Sequence, residues 1–310
     1  MVIKFSPKLS ILISVYGQAD KLKRCLSSLQ NTLPSTLSYE VLIIDDASED
    51  HTTDFIKSYA PTYRVFFNEK RSGFAKNNNF LARRARGEYL CLLNSDAFVQ
   101  GNWFFPMFEV FQKEQNVGMV GNVQKLADSM IYDHAGVVFG PAGNPRHFGQ
   151  GFLFNPIGGG RRRWSAVTAA CTLVKRETFL SFDGFDEDFI NGCEDVELCV
   201  RMSRSGLEHY VAHNSVIQHV KGASDGRKIH NRRNFEILMQ KWGKSIRATE
   251  SVRDQKLHAI TYLYLCLINP YRITFFKLAE ALGILLGLKK LPPPPAVTLG
   301  KSTAVIQSTT

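Results

Sequence analysis

Acidic side chains in three short stretches of the chain could bind a metal ion or accept a proton. Asn94-Ser95-Asp96 follows the apolar run Tyr89 to Leu93, Asp45-Asp46 follows the run Glu40 to Ile44, and Glu194-Asp195 lies further along the chain. A carboxylate just beyond a strand can hold a hard cation or a ribose hydroxyl. An Asx-type turn that ends the strand is the alternative, and the motif alone leaves both interpretations open.

Glu194 and Asp195 have a structural and a catalytic interpretation. They precede the helical pattern Val196 to Met202, and acids in the first turn are favoured by the positive end of a helix. Helix capping is therefore the simpler interpretation, and a general base is the functional one. His219, at a predicted strand end, could supply a nitrogen to a metal or a donor to a phosphate, although a lone histidine is more often structural.

The first hundred residues alternate between strand and helix patterns, which predicts a doubly wound parallel sheet with right-handed crossovers. The predicted strands are Leu9 to Tyr16, Glu40 to Ile44, Tyr63 to Phe67 and Tyr89 to Leu93. The predicted helices are Asp20 to Gln30, a helix capped by Asp50 or Thr52 that runs through Tyr59, and one from Ser72-Gly73-Phe74-Ala75 to Arg86. Since the ends of parallel strands share an edge, we expect Asp45, Asp46 and Asp96 to meet at one crevice.

The next part of the chain is less regular. We expect a helix at Trp103 to Gln115, a strand at Val117 to Gly121, a strand at Val167 to Val174 and a closing helix at Asn231 to Trp242. Between them, Asp128 to Trp164 is rich in glycine and proline, which is typical of functional or mobile loops. Its Arg161-Arg162-Arg163 run is more often a solvated loop than a phosphate or lipid-headgroup site.

Composition bounds the partners. The 310 residues are 44% hydrophobic, enough for a large core, and the net charge of +10 favours anionic partners such as nucleic acid, phosphorylated small molecules or an anionic membrane. The six cysteines lack a C-x-x-C pair, which favours free thiols in a reducing compartment. Leu9 to Tyr16 is too short for a signal-peptide core, so we expect a cytoplasmic protein or one attached to the inner membrane face.

The C-terminal part changes character. Apolar residues repeat at helical spacing on both sides of Asn269-Pro270, but Pro270, Arg272, Lys277 and Glu280 interrupt the run before it reaches a membrane-spanning length. An amphipathic helical pair, on a bilayer surface or packed on the domain, fits better, and Lys289-Lys290 could add attraction to anionic lipid. We therefore expect a main domain over 1–245, a helical extension over 246–291 and a disordered tail over 292–310.

Seven motifs in order make the chain similar to the family 2 glycosyltransferases, the inverting group with the Rossmann-like GT-A fold. They are Ser14 to Tyr16, Ile44 to Asp50, Gly73 to Asn78, Leu93 to Asp96, Gly184 to Glu187, Glu194 to Cys199 and His219 to Ser224. The resemblance covers about Leu9 to Trp242 and is greatest to the bacterial branch that includes rhamnosyltransferases of surface-polysaccharide assembly.

The resemblance implies a role for each motif. Val15 and Tyr16 would line the base pocket, Asp45 or Asp46 would contact base and ribose, and the segment with Gly73, Lys76 and Asn78 would close over the nucleotide. Asn94 and Ser95 would lie at the nucleotide sugar. Asp96 would bind a divalent ion, Mn²⁺ or Mg²⁺, with His219 as a further ligand. Asp195 would take the acceptor proton, with Glu194 beside it. The family's metal motif usually reads D-x-D, so Asn94 removes one charge.

The resemblance also implies the activity: transfer of one sugar from a UDP- or dTDP-sugar to a glycan or lipid-linked acceptor in cell-surface polysaccharide synthesis. Gln240-Lys241-Trp242 lacks the spacing of the processive Q-x-x-R-W motif, which favours single transfer. A nucleotidyltransferase is the alternative enzyme, although Tyr16 to Asp20 is poor in glycine and basic residues. Nucleic-acid binding through the triple arginine is the non-enzymatic alternative; against it, the carboxylates at the crevice would repel a phosphate backbone.

Overall fold

The computed structural model describes residues 8–140, 143–220, 227–249 and 252–288. Three sequence predictions fall outside these ranges. They concern Lys221 to Ser224 of the last motif, Lys289-Lys290, and the tail 292–310.

The described residues form twelve strands and nine α-helices. The strands are β1 (Leu9–Val15), β2 (Tyr39–Asp45), β3 (Arg64–Phe67), β4 (Tyr89–Leu93), β5 (Ala97–Val99), β6 (Val117–Leu126), β7 (Tyr132–His134), β8 (Val137–Phe139), β9 (Pro145–His147), β10 (Arg161–Trp164), β11 (Cys171–Lys175) and β12 (Glu208–His219). The helices are α1 (Ala19–Thr32), α2 (Thr52–Lys57), α3 (Phe74–Arg84), α4 (Phe104–Lys113), α5 (Arg176–Ser181), α6 (Glu194–Arg204), α7 (Asn231–Thr249), α8 (Val252–Ile268) and α9 (Phe275–Leu285).

The main sheet runs in the order β10-β12-β6-β11-β4-β1-β2-β3, with β5 on β12 and β7 on β6. Strands β4, β1, β2 and β3 are mutually parallel, whereas β11 is antiparallel to both β4 and β6. The predicted mostly parallel α/β sheet is confirmed. Because β2 ends at Asp45 and β4 ends one residue before Asn94, the two acidic stretches leave the same edge.

Hydrophobic side chains cover both faces of this sheet, as buried parallel strands require. In β1, Ile11 and Ile13 pack into the cluster that contains Leu22 and Leu26 of α1, whereas Leu12 belongs to the cluster on the other face. The apolar spacing that predicted α1 is thus its buried stripe. All six cysteines are free thiols, and Cys91 and Cys171 are buried, as predicted.

Two sequence predictions were wrong in the middle of the chain. The predicted strand over Val167 to Val174 begins only at Cys171, because the preceding backbone bonds to site loops instead of a neighbouring strand. The triple arginine is the strand β10 and not a loop. In it Arg161 pairs with Glu114 at 2.5 Å and Arg163 with Glu208 at 2.5 Å, so neighbouring carboxylates balance two of the three charges.

The C-terminal helices pack on the domain. Asp254 of α8 is buried and accepts from Phe139 N at 3.2 Å and from Ser165 Oγ at 2.5 Å, and the Tyr264 ring lies 4.1 Å from the Phe152 ring. Helix α9 packs in turn against α8 through Ala281 and Ile284. Within the described ranges, none of the helices combines the length and the apolarity that a membrane crossing needs.

Candidate active site

The loop between β4 and β5 brings its acidic side chain to the end of β12. Strand β5 pairs antiparallel with β12 so that Ala97 lies opposite His219, and Val220 N donates to the Asp96 carbonyl at 3.0 Å. The side chains meet as well, since His219 Nε2 lies 3.2 Å from Asp96 Oδ1 and 3.3 Å from Asn94 Nδ2. Residues 123 positions apart thus form one cluster.

This cluster fits a divalent ion that has few protein ligands. One carboxylate oxygen and one imidazole nitrogen converge with side chains that are 14% and 9% exposed. Hard ions such as Mg²⁺ are commonly held by one or two carboxylates plus substrate phosphates and water. No larger group of three or more His, Cys, Asp or Glu side chains suited to a metal occurs in the described ranges.

The second acidic stretch lies at the start of α6. Asp195 is half-buried; its Oδ2 accepts from Ala169 N at 2.9 Å and its Oδ1 from Val196 N at 2.8 Å. Glu194 is 6% exposed and accepts from Gly192 N at 2.6 Å, a contact that stabilises the turn before the helix. Cys193, the residue before the helix, has φ of 71°, and this rarely populated conformation fixes the helix entry.

One cleft borders both acidic stretches, and the residue of the first stretch that lines it is Asn94, two residues before Asp96. The cleft has a volume of about 660 Å³, and its lining includes Asn94 of the first loop and both Glu194 and Asp195 of the second. The segment Thr168 to Ala170 lies between them, because Ala170 O accepts from Asn94 N at 2.9 Å while Ala169 N donates to Asp195. This bridging segment replaces the predicted strand. A cleft of this size is typical of small-molecule sites.

Several residues that line this cleft were not predicted as site residues from the sequence. They are Asn144, Arg146, His147, Thr168, Asn231, Arg232 and Phe235. The glycine-rich region 128–164 was expected to be functional, but nothing in its pattern singled out Arg146 and His147. Their position follows from the β8–β9 hairpin, whose pairing places His147 opposite Val137.

The carboxylates of Asp45 and Asp46 accept hydrogen bonds from the loops around them. Asp45 is 2% exposed and accepts from Ser48 Oγ and Thr53 Oγ1, both at 2.5 Å. Asp46 accepts from Asn68 Nδ2 at 2.8 Å, Ser72 N at 2.7 Å and Gly73 N at 3.0 Å. Asp46 therefore anchors the segment that leads into α3. Gly73 itself has φ of +87°, a conformation that favours glycine.

The other predicted nucleotide residues are dispersed. A separate cleft of about 470 Å³, at the end of β2, is lined by Asp45, Ser48 and Arg71. The Arg71 guanidinium lies 3.6 Å from the ring centroid of half-exposed Tyr16. Val15 is 2% exposed and its side chain belongs to the core. Lys76 is exposed, Ser95 is half-buried, and buried Asn78 donates to Phe74 O at 2.9 Å within its own helix.

The Gly184 to Glu187 motif braces α6 against α3. Asn79 donates to Phe185 O at 2.9 Å and accepts from Phe185 N at 2.8 Å, and a Cβ on Gly184 would lie 2.2 Å from Asn79 Oδ1. Arg201 of α6 donates to Gly184 O at 2.8 Å and pairs with buried Glu197 at 2.7 Å. These contacts hold the helix that carries Asp195.

Part of the chain is similar to a known protein family. Residues 10–135 match the family described as Glycosyl transferase family 2. The matched segment contains Asp45, Asp46 and Asp96, whereas Asp195 and His219 follow it.

Two relatives are similar in sequence. The O-antigen biosynthesis protein RfbC of Myxococcus xanthus is 29% identical over 233 residues, which is 72% of this chain and 18% of that protein. A dolichyl N-acetyl-alpha-D-glucosaminyl phosphate 3-beta-D-2,3-diacetamido-2,3-dideoxy-beta-D-glucuronosyltransferase of Methanococcus voltae is 23% identical over 229 residues, 67% of this chain and 65% of that protein. The chain thus spans less than two thirds of either relative.

Two solved structures share the fold. GalNAc-T7 with UDP, GalNAc and Mn²⁺ has a TM-score of 0.64 at 18% identity and covers 94% of this chain and 59% of its own. The mannosyltransferase PcManGT of Pyrobaculum calidifontis with GDP-Man and Mn²⁺ has a TM-score of 0.57 at 20% identity and covers 93% of this chain and 78% of its own.

Proposed function

Because the chain belongs to glycosyl transferase family 2, we propose that it transfers a single sugar, with inversion, from a UDP- or dTDP-sugar to a hydroxyl of a glycan or lipid-linked acceptor. The name of the Myxococcus relative supports a role in O-antigen or other surface-polysaccharide synthesis. The rhamnosyltransferase-like branch stays a prediction. So does attachment to the inner face of the cytoplasmic membrane.

One observation carries the proposal. Asn94, two residues before Asp96, lines the same cleft as Asp195, although about a hundred residues separate the two stretches. An inverting transfer needs charge stabilisation at the leaving group and a base at the attacking hydroxyl, and both must be reachable from one bound sugar.

Each side chain has a task in this scheme. Asp96 and His219 would hold the divalent ion, which when bound supplies Lewis-acid stabilisation of the diphosphate leaving group. Asp195 would accept the proton of the acceptor hydroxyl, since a sugar hydroxyl is far too weakly acidic to ionise at neutral pH. Ala169 N and Val196 N donate to its two oxygens and fix the carboxylate while leaving further lone pairs for the acceptor. Glu194, buried at the helix start, would position it.

The nucleotide half of the donor has a matching surface. Arg71 lines the cleft beside Asp45, and its guanidinium lies over the Tyr16 ring. Aromatic and guanidinium planes are suited to a base and a phosphate. Asp46 would act on the donor indirectly, through the Ser72-Gly73 backbone that it anchors. Lys76, Asn78 and Ser95 remain predicted contacts of the nucleotide sugar.

Two single variants test the assignment. Asp195→Asn keeps the size of the side chain and removes the base, although its amide group then faces one of the two backbone donors, so its folding is checked alongside. Asp96→Ala removes a metal ligand. We expect each variant to lower transfer by roughly 10²- to 10⁴-fold. Transfer should be measured as release of nucleoside diphosphate from a panel of UDP-, dTDP- and GDP-sugars with Mn²⁺ or Mg²⁺.

Asp54→Asn is the matched control, because Asp54 is exposed on α2 and has only a surface pair with Lys57. It should keep wild-type turnover. Wild-type turnover in folded Asp195→Asn would reject the base assignment. Release of pyrophosphate from a nucleoside triphosphate and a sugar 1-phosphate, with no release of nucleoside diphosphate from the nucleotide sugars, would favour a nucleotidyltransferase.

A further inference from the structure

A second cavity opens beside the active-site cleft. It has a volume of about 330 Å³ and lies between the β8–β9 hairpin and the helices α8 and α9. Asn144, Arg146 and His147 line both this cavity and the cleft. The two spaces therefore adjoin along one strip of side chains.

Positive charge dominates the second cavity. Arg146, Arg272 and Lys277 line it together with one carboxylate, Glu280. Asn144, with its amide oxygen turned toward the guanidinium, accepts from Arg146 Nε at 2.7 Å and from its terminal nitrogen at 3.0 Å, which holds the arginine between the two spaces. Three cations against one carboxylate favour an anionic ligand.

The pKa of His258 is shifted by the same positive charges. Burial lowers the pKa of His258, and the positive charges of Arg146 and Lys277 lower it further. The negative charge of Glu280 acts in the opposite direction. Side chains from β9 and α9 thus act on one point on α8. The histidine lines the cavity with His147, and either ring can donate to a phosphate oxygen.

The segment that supplies these charges also exposes large apolar side chains. Tyr271, next to Arg272, is 100% exposed, and Phe275 and Phe276, next to Lys277, are 80% and 85% exposed. Leu282 of α9 and Leu286 and Leu288 just after it continue this exposure. Contiguous exposed apolar side chains usually mark an interaction site. A ligand with an anionic group and a hydrocarbon chain would match both features.

We propose that the second cavity binds the phosphate or diphosphate group of a polyprenyl-linked acceptor, whose hydrocarbon chain lies against the exposed apolar side chains of residues 267–288. This inference rests on the proposed function, because it gives that enzyme's acceptor a binding site. The shared strip at Arg146 and His147 lets the sugar attached to the phosphate reach the cleft with Asp195.

The test measures binding without catalysis. Farnesyl diphosphate serves as the probe in EDTA, which prevents metal-dependent binding of a diphosphate at the donor site, and inorganic pyrophosphate and farnesol serve as its two halves. We expect Arg272→Gln/Lys277→Gln to weaken farnesyl diphosphate binding by about tenfold or more, because two charge-assisted contacts are lost. Lys244→Gln/Lys256→Gln removes the same charge from exposed positions outside both cavities and should leave binding unchanged.

Other outcomes overturn the inference. Equal loss in both double variants would mean that only net charge matters. Pyrophosphate that binds as tightly as farnesyl diphosphate would assign the second cavity to a free phosphate compound. If Arg272→Gln/Lys277→Gln weakened binding to phosphatidylglycerol vesicles but not to farnesyl diphosphate, the cavity would be assigned to membrane headgroups. Nucleotide-sugar hydrolysis in Mn²⁺ is measured in parallel. Its absence from the wild type, with farnesyl diphosphate binding intact, would reject the proposed function while supporting the pocket.

Discussion

Asn94 is the residue at which this chain departs from the D-x-D motif, and its surroundings make the effect measurable. Its Nδ2 lies 3.3 Å from the Nε2 of His219, beside the Asp96 carboxylate. A carboxylate at this position would add a charged oxygen to the cluster, and the number of charged ligands is a main determinant of the affinity for hard cations.

We therefore expect Asn94→Asp to lower the Mn²⁺ concentration needed for half-maximal nucleotide-sugar hydrolysis, by about tenfold. Asn102→Asp adds the same charge at an exposed position and should leave the Mn²⁺ dependence unchanged. An unaltered Mn²⁺ requirement in Asn94→Asp would mean that residue 94 does not face the ion.

His209 gives the fold a dependence on pH. Burial lowers its pKa to about 4, against the donated hydrogen bond from its ring to the Cys199 carbonyl. The neutral ring accepts from Met119 N at its Nδ1, at 3.1 Å, so protonation there would place two donors against each other. Burial likewise lowers the pKa of His213 to about 4.

The direction of the pH dependence follows from the difference between the pKa of His209 in the folded and the unfolded state. The unfolded state takes up protons below pH 6.5 and the folded state only near pH 4, so the stabilisation is complete above pH 6.5 and is lost as the pH falls toward 4. We expect His209→Gln, which can still accept and donate, to reduce the slope of unfolding free energy against pH by about 1.4 kcal/mol per pH unit in that window. Urea denaturation at several pH values measures it, and equal slopes in wild type and variant would contradict it.

At the scale of elements, Asp46 connects β2 to the start of α3. Its two oxygens accept from the side chain of Asn68 and from the backbone of Ser72 and Gly73, so three donors depend on one carboxylate. We expect Asp46→Asn to cost about 1–3 kcal/mol of unfolding free energy, because its amide group must face a donor. Amide hydrogen exchange at Ser72 and Gly73 should accelerate along with this loss.

Asp54→Asn is again the control, since an exposed i,i+3 pair contributes little, and it should change stability by less than about 0.5 kcal/mol. Unchanged exchange at Gly73 in Asp46→Asn would show that the segment before α3 is held by other contacts.

Local patterns predicted the elements that are regular and missed those fixed by distant contacts. Apolar runs and helical spacing located β1 to β4 and α1, because burial on a parallel sheet dictates those residues. The segment Thr168 to Ala170 belonged to a predicted strand as well, yet its backbone bonds to Asn94 and Asp195. The short strands β7 to β10 depend on pairing with β6, β12 and one another, which no local window reveals.

The sequence predicted the site residues that lie at the ends of regular strands and not those placed by long-range pairing. The parallel strand ends explain why Asp46 and Asp96 leave one edge, as the sequence predicts, but Asp45 and Asn94 line different clefts instead of the one crevice that was expected. The contact of His219 with Asp96 depends on the antiparallel β5–β12 pairing, and the positions of Arg146 and His147 depend on a hairpin. Long-range pairing is what the sequence patterns did not contain.

At the scale of the whole molecule, the question is whether the C-terminal helices are an appendage or part of the domain. The change in composition predicted a boundary near residue 245. In the structure, α8 covers Phe152 with Tyr264 and satisfies Phe139 N and Ser165 Oγ with Asp254. Phe152 and Phe139, at 3% and 1% exposure, belong to the main core cluster.

A chain that ends at Thr249 should therefore have a free energy of unfolding that is lower by about 3 kcal/mol or more, measured by urea denaturation against the full chain. Removing α8 exposes buried aromatic surface and leaves Phe139 N without its acceptor. Tyr264→Ala in the full chain should cause part of this loss, whereas Tyr271→Ala, at a fully exposed ring, should cause little. If the shortened chain is as stable as the full one, residues 246–291 are an independent extension. A large loss means instead that the helices lining the second cavity are part of the domain that carries Asp195, so one folded unit would position donor and acceptor together.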